Sequence, residues 1–116
     1  MATKQQVERK LRELIKRLAE SGRSVQGSLA DTLPDSRVIQ VALPDLGTSY
    51  WTEMAQGRMG ALHRGAPERA DIRLTVDSDD LVELIDGRKS LFSSYLSGRV
   101  KVEASMGDLL RLRRLA

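Results

Sequence analysis

Apolar and polar side chains follow their most regular pattern in the second half of the chain. Residues 71–76 and 100–104 alternate apolar with polar positions, which predicts two strands that each have one apolar face. Between them, residues 77–87 and 90–98 form two runs that have helical character and end in glycine. Because this connection is long enough for a crossover, we expect the two strands to be parallel, with both helices on one face of a sheet.

A further helix is predicted after the second of these strands. Ser105 and Asp108 have the spacing of a capping box, which marks the start of a helix. The predicted helix carries an apolar stripe that consists of Met106, Leu109, Leu110, Leu112 and Leu115. A stripe of this kind normally faces the core of a domain.

Periodicity in the first half of the chain is clear at both ends and weak between them. Residues 3–21 predict an amphipathic helix. Residues 23–36 fit either a short helix or a mobile flap. Residues 38–55 alternate around a turn and predict a hairpin, and residues 58–63 predict one more short strand. Three antiparallel strands are therefore expected before the crossover.

Length and composition are those of one globular domain. The chain has 116 residues, of which 41% are hydrophobic, and no apolar run approaches membrane-spanning length. Cysteine is absent, which excludes disulfides and thiolate metal sites, and the first residues lack the apolar segment of a secretion signal. We therefore expect a cytoplasmic protein with a single domain over residues 1–116, in which an N-terminal helix occupies 1–22 and the sheet and other helices occupy 37–116.

The net charge of +3 and the sequence pI of about 9.6 raise the question of an acidic partner. Basic and acidic residues are mixed along most of the chain, and the basic cluster of Arg111, Arg113 and Arg114 lies near a helix C-terminus, where the dipole favours cations. No aromatic side chain lies among these arginines to stack on a base, so we do not expect nucleic-acid binding. A transient contact with an anionic membrane fits this charge better.

Motifs for catalysis and metal binding are missing from the sequence. His63 is the one histidine, and neither a cysteine nor a G-x-S-x-G elbow accompanies it. Five acidic residues cluster around one predicted helix: Asp77, Asp79, Asp80, Glu83 and Asp86. Their spacing is not that of an EF-hand, and the dipole favours acidic residues at the start of a helix. The glycines form no phosphate loop. We expect no enzyme activity, metal ion or cofactor.

Three stretches of sequence resemble the sterol carrier protein type 2 domain family. ADIRLTVDSDDLVELIDGR and SYLSGRVKVEASMGDLLRL have the family's order of motifs: a strand ending in T-V, an acidic capped helix ending in G-R, an aromatic helix, G-R-V-K-V, and a small-M-G turn into a leucine helix. SYWTEMAQGRMGALHRG is similar to the family's tryptophan-bearing strand, which turns through a glycine into a short strand. The likeness covers residues 38–116.

This resemblance implies an α/β (α+β) fold with one mixed five-stranded sheet and helices covering one face. It also implies a hydrophobic tunnel between the sheet and the helices that takes fatty acids, acyl-CoA, sterols or isoprenoid lipids, and no catalytic residues. The chain has no peroxisomal S-K-L address at its end, and arginine outnumbers lysine. We therefore expect a bacterial stand-alone member of the family.

We predict that the apolar tail of a lipid lies between the sheet and the helices, so that the domain binds, transfers or presents a lipid. The predicted contact residues come from both layers: Met54, Ile72, Leu74, Leu81, Leu84, Ile85, Phe92, Leu96, Val100, Val102, Leu109 and Leu110. A charged headgroup is predicted near Arg88, Lys89 or the C-terminal arginines. With mainly aliphatic and methionine side chains available, such a pocket would be pliable and unselective.

Two other functions remain open on the sequence alone. A filled core explains the same apolar positions, and the chain would then be a homodimer or the accessory subunit of an enzyme. An exposed patch at Tyr50 and Trp51 would favour this function, because interface cores are enriched in aromatic residues. The third alternative is an enzyme that uses His63 or the acidic helix.

Overall fold

Helices and a mixed sheet make up the computed structural model, which describes residues 1–20, 36–55 and 58–113. The elements in chain order are α1 (Lys4–Glu20), β1 (Arg37–Leu43), a 3-10 turn (Pro44–Leu46), β2 (Thr48–Ala55), β3 (Arg58–Met59), β4 (His63–Arg64), β5 (Ile72–Val76), α2 (Ser78–Ile85), α3 (Leu91–Leu96), β6 (Val100–Glu103) and α4 (Met106–Arg113). The helix or flap predicted at 23–36 falls, apart from its last residue, outside the described residues.

Local signals in the sequence explain where the helices begin and end. A capping box starts α1: the N–H of Gln6 donates to Thr3 Oγ1 at 3.2 Å, and the N–H of Thr3 donates to Gln6 Oε1 at 2.9 Å. Ser90 caps α3 by accepting from the N–H of Ser93. Gly87 follows α2 with a φ of 78°, a conformation that favours glycine.

The strands form a mixed sheet in the order β3-β2-β1-β5-β6, and β4 also pairs with β2. Met59 on β3 lies opposite Met54, whereas Arg64 on β4 lies opposite Tyr50, so the two registers differ by one residue. β3 and β4 are therefore one edge strand interrupted by a bulge between Gly60 and His63. A side chain at Gly60 would place its Cβ 3.2 Å from the Glu53 carbonyl oxygen. The mixed five-stranded sheet implied by the family resemblance is confirmed.

The predicted parallel pairing of the two C-terminal strands is wrong. Val76 on β5 lies opposite Val100, and Arg73 lies opposite Glu103, so β5 and β6 are antiparallel. A single crossover helix would return the chain to the far end of the sheet. Two successive helices, α2 and α3, instead bring it back to the end that it left. The parallel pair is β1 and β5.

One face of the sheet is apolar, as the alternation predicted. α1 and α2 cover it, whereas the pattern had placed α3 there together with α2. The buried residues between the layers are Val7, Leu11, Leu43, Tyr50, Val76, Leu81, Ile85 and Val100. The opposite face carries polar residues of the central and outer strands, such as Gln40, Arg73 and Lys101. Among the helices in the described ranges, none is long and apolar enough to cross a bilayer.

Candidate functional site

Among the described residues, the buried apolar side chains on the inner face of the sheet form two clusters. The first, which we call the α1–α2 cluster, is the core described above, and the half-buried Leu74 and Val102 pack against it. The second, which we call the Met54 cluster, consists of buried and half-buried apolar residues: Met54, Ile72, Ile39, Met59 and Ala104. On β5 the boundary between the clusters lies between Ile72 and Leu74, so it runs across the sheet rather than along one strand.

Eight of the twelve predicted contact residues belong to these clusters or pack against them: Met54, Ile72, Leu74, Leu81, Leu84, Ile85, Val100 and Val102. Leu109 is half-buried on α4. The remaining three, Phe92, Leu96 and Leu110, are at the surface, with 43%, 68% and 56% of their area exposed. The structure therefore brings together the strand and α2 positions but separates them from the predicted α3 positions.

α3 turns its apolar side outward. Leu91, Phe92, Tyr95 and Leu96 share one side of this helix and are all exposed, whereas Ser94 on the other side is buried. The carbonyl of Ser94 also accepts a hydrogen bond from the N–H of Arg99. This bond holds the Ser94 side of α3 against the start of β6. Because the turns at both ends set the orientation of so short a helix, its apolar pattern alone did not indicate the inward face.

A buried carboxylate anchors α4, and of the stripe residues with described side chains only Leu109 is half-buried. The Asp108 carboxylate accepts two hydrogen bonds from Arg37, one from Nε at 2.9 Å and one from Nη2 at 3.3 Å. The side chain of Asp108 is 4% exposed, while Met106 and Leu110 on the opposite side of α4 are largely exposed. Ser105 caps α4 as predicted, by accepting from the N–H of Asp108. The capping box is thus half formed, because the Asp108 carboxylate reaches across to β1.

Tyr50 and Trp51 do not form one patch, since neighbouring strand residues point to opposite faces. Tyr50 is 2% exposed under α1, and its hydroxyl donates to Glu8 Oε2 at 3.3 Å. Trp51 lies on the other face of the sheet and stacks on His63, with ring centroids 4.3 Å apart. The exposed aromatic patch that would have favoured the accessory-subunit alternative is therefore absent from this strand.

Charged contacts join α1 to the sheet at one point and to the end of α2 at another. Arg64 on β4 donates to Glu8 at 2.9 Å, and this hydrogen bond lowers the pKa of the Glu8 carboxyl. Lys10 donates to Asp86 beyond α2 at 2.7 Å and likewise lowers the pKa of that carboxyl. Burial raises the pKa of the Tyr50 hydroxyl. Sequence reasoning missed these contacts because they join residues far apart in the chain.

The predicted headgroup residues at the end of α2 are engaged by carboxylates. Arg88 Nη2 lies 3.1 Å from Asp86, and Lys89 Nζ lies 2.8 Å from Glu83. Arg88 remains largely exposed. The side chains of the C-terminal arginines lie outside the described residues.

Three open clefts of about 430, 490 and 470 Å³ are formed by described residues. They lie between α1 and Arg64, beside the β1–β2 turn on the open face of the sheet, and between the starts of α1 and α2. None of these three is lined by a predicted contact residue. No group of three histidine or acidic side chains in the described ranges is arranged to hold a metal ion.

A mixed sheet with helices packed on its apolar face defines a small α+β domain. The sequence matches the model of the SCP-2 sterol transfer family over residues 3–116, so the chain belongs to this family. Its fold is similar to that of the ubiquinone synthesis protein UbiJ-SCP2, with a TM-score of 0.64 and 16% identity over 99% of this chain and 92% of that one. It is also similar to palmitated SCP2L2 from Aedes aegypti, with a TM-score of 0.57 and 13% identity over 88% of this chain and 89% of that one.

Among curated proteins, the chain is similar to hydroxysteroid dehydrogenase-like protein 2 from Xenopus laevis, with 24% identity over 101 residues, or 84% of this chain. The chain spans about a quarter, 24%, of that relative's length. Family and fold together support the binding or transfer of a sterol or another lipid.

Proposed function

We propose that this domain binds one long-chain lipid, with its tail between the sheet and the helices, and presents or transfers it without chemical change. The family match carries the proposal, together with an apolar sheet face whose described buried residues fall into two clusters. Among the described residues, the boundary between the two clusters crosses the sheet between Ile72 and Leu74. The proposed tail lies along this boundary, with the Met54 cluster on one side and the α1–α2 cluster on the other.

The side chains at this boundary suit a tail better than a compact polar ligand. Most are aliphatic or methionine, which adapt their shape, and the hydroxyl of the buried Thr52 between Tyr50 and Met54 is already bonded to the Gly60 carbonyl. Each buried methylene contributes about 0.8 kcal/mol, so a palmitoyl tail with fourteen methylenes would gain about 11 kcal/mol. Association and ordering offset about 4 kcal/mol or more of this, which leaves micromolar binding within reach.

The comparisons support two ligand classes. One fold relative is described as palmitated and another as a ubiquinone synthesis protein. A fatty acyl chain and an isoprenoid chain are both long and apolar, and an aliphatic lining separates them by size more than by chemistry. Phe92, Leu96 and Leu110 lie outside the proposed tail path, although the sequence placed them in it. The cytoplasmic location stays a prediction.

Native mass spectrometry of the protein as purified tests the proposal first. We expect an adduct that is lost on denaturation, and its extraction identifies the lipid class. The protein is then titrated with palmitate, palmitoyl-CoA and an isoprenoid alcohol. A mass that stays that of the bare chain through all three titrations would mean that the core is filled, and the accessory-subunit alternative would replace the proposal.

A pair of variants on β1 places the tail. Ile39→Phe enlarges a half-buried residue of the Met54 cluster, and Val38→Phe makes the same kind of change at the neighbouring position on the other face. If the boundary holds a tail, Ile39→Phe blocks lipid uptake with little loss of stability, and Val38→Phe takes up lipid normally. If the core is filled, overpacking at Ile39 costs about 1–3 kcal/mol of unfolding free energy.

A further inference from the structure

β6 forms one edge of the sheet. β5 pairs with its inner side, and within the described part of the chain no strand pairs with its outer side. An exposed edge presents unpaired N–H and C=O groups that can accept another strand. The sequence of β6 is Val-Lys-Val-Glu, with Lys101 and Glu103 on the open face of the sheet and the valines on the apolar face.

Exposed apolar side chains are concentrated on the two helices that flank this edge in the chain. Apart from Met1, the large hydrophobic residues exposed in the described ranges are Leu91, Phe92, Tyr95 and Leu96 of α3, and Met106 and Leu110 of α4. α3 packs against β6 and ends just before it, and α4 begins just after Ala104. A concentration of this kind marks an interaction surface.

We propose that this surface binds a second copy of the chain, with the two β6 strands paired antiparallel across a two-fold axis. In such a pair the axis is perpendicular to the sheet, both helical layers lie on the same side, and the two sheets become continuous. Residues opposite each other must then point to the same face. With Val102 on the axis, Lys101 lies opposite Glu103 of the second copy, and Val100 lies opposite the second copy's Ala104.

Charge selects this register over its neighbours. In the next symmetric register on one side, Lys101 lies opposite Lys101 of the second copy. In the next register on the other side, Glu103 lies opposite Glu103 of the second copy. Like charges directly opposite each other destabilise a strand pair. A lysine on an edge strand normally discourages pairing, but Glu103 two residues later makes β6 complementary to itself. In the single chain, Lys101 and Glu103 lie 3.4 Å apart and both are exposed.

The same register accounts for the exposed helices. Because Val100 lies opposite Ala104 of the second copy, α3 of one chain comes beside the start of α4 of the other. The outward side of α3, with Phe92 and Leu96, then faces the outward side of α4, with Met106 and Leu110. Two-fold symmetry repeats this contact at the other end of the paired strands. The proposed contact thereby covers Phe92, Leu96, Met106 and Leu110.

Sedimentation velocity over a range of concentrations tests the dimer. We expect the dimer mass for the wild type, and we expect Lys101→Glu and Glu103→Lys each to weaken association by about tenfold or more, because each places like charges opposite each other twice. An equal mixture of the two variants restores the dimer, since every contact then joins opposite charges. Arg69→Glu and Glu68→Lys make the same charge changes in an exposed loop and leave the dimer intact.

Cross-linking tests the register. Since the chain has no cysteine, Val102→Cys introduces a single thiol on the axis, and mild oxidation joins two chains through it. Glu68→Cys in the exposed loop measures the background of random collisions. Circular dichroism confirms that each variant is folded.

A monomer at every concentration, or a Lys101→Glu variant that associates as strongly as the wild type, would overturn the proposal. Another outcome against it is a monomer that co-floats with anionic phospholipid vesicles and loses this binding on Phe92→Glu, which would assign the surface to a membrane. Lipid uptake and association are measured separately, so either proposal can fail without the other.

Discussion

Replacing Asp108 by alanine tests whether the buried ion pair docks α4 on the sheet. The Arg37 and Asp108 side chains are 16% and 4% exposed, and they make two hydrogen bonds to each other. Breaking a buried pair by removing one partner costs about 3–5 kcal/mol, because the other charge is left in a poorly solvated position. Because Arg37 would still donate to the Ser36 carbonyl at 3.0 Å, we expect Asp108→Ala to lose about 3 kcal/mol of unfolding free energy, the lower end of this range.

Urea unfolding and thermal melting measure this loss. Each kcal/mol lowers the melting temperature by about 4 °C or more in a domain of this size, so Asp108→Ala should melt at least about 10 °C below the wild type. Asp79→Ala is the matched control, because Asp79 is also in the first turn of a helix but its side chain is 67% exposed. Its cost should stay within about 1 kcal/mol.

A double variant separates the ion pair from simple packing. Arg37→Leu with Asp108→Leu removes both charges and should destabilise less than Asp108→Ala alone, since apolar replacement of a whole buried pair is often neutral. If Asp108→Ala unfolds at the same urea concentration as Asp79→Ala, the ion pair does not dock α4 on the sheet. α4 would then be held by its apolar contacts.

Three further predictions concern contacts away from α4. The pKa of Glu8 is lower in the folded state, so its bond to Arg64 stabilises the fold above the ordinary titration range of glutamate, and this stabilisation is lost as pH falls through the folded-state pKa. The difference in melting temperature between wild type and Glu8→Gln should therefore narrow below about pH 4. A difference that stays constant with pH would contradict this. Ser78→Ala removes a fully buried hydroxyl that donates to Asp45, and urea unfolding should show a loss of about 1–3 kcal/mol. His63→Ala removes the ring stacked on the one tryptophan, so the fluorescence emission should shift, and an unchanged spectrum would mean that the stack does not persist in solution.

The elements of the fold were predictable because their signals are local. Alternation of apolar side chains identified β5, β6 and the apolar face of each, and capping residues and glycines identified the helix ends. The family resemblance added the mixed five-stranded sheet. Eight of the predicted contact residues lie at the two apolar clusters for the same reason: five follow from the period of two along strands, and three follow from the helical period of α2.

Three features depended on tertiary structure. The direction of β6 follows from the number of helices that carry the chain back to the sheet, which a strand's own sequence does not record. The outward orientation of α3 follows from its turns and from the burial of Ser94. The pairing of Arg37 with Asp108 joins positions 71 residues apart. Periodicity reports which side of an element is apolar, but only the packed structure decides what that side meets, because the contact depends on residues that local sequence does not contain.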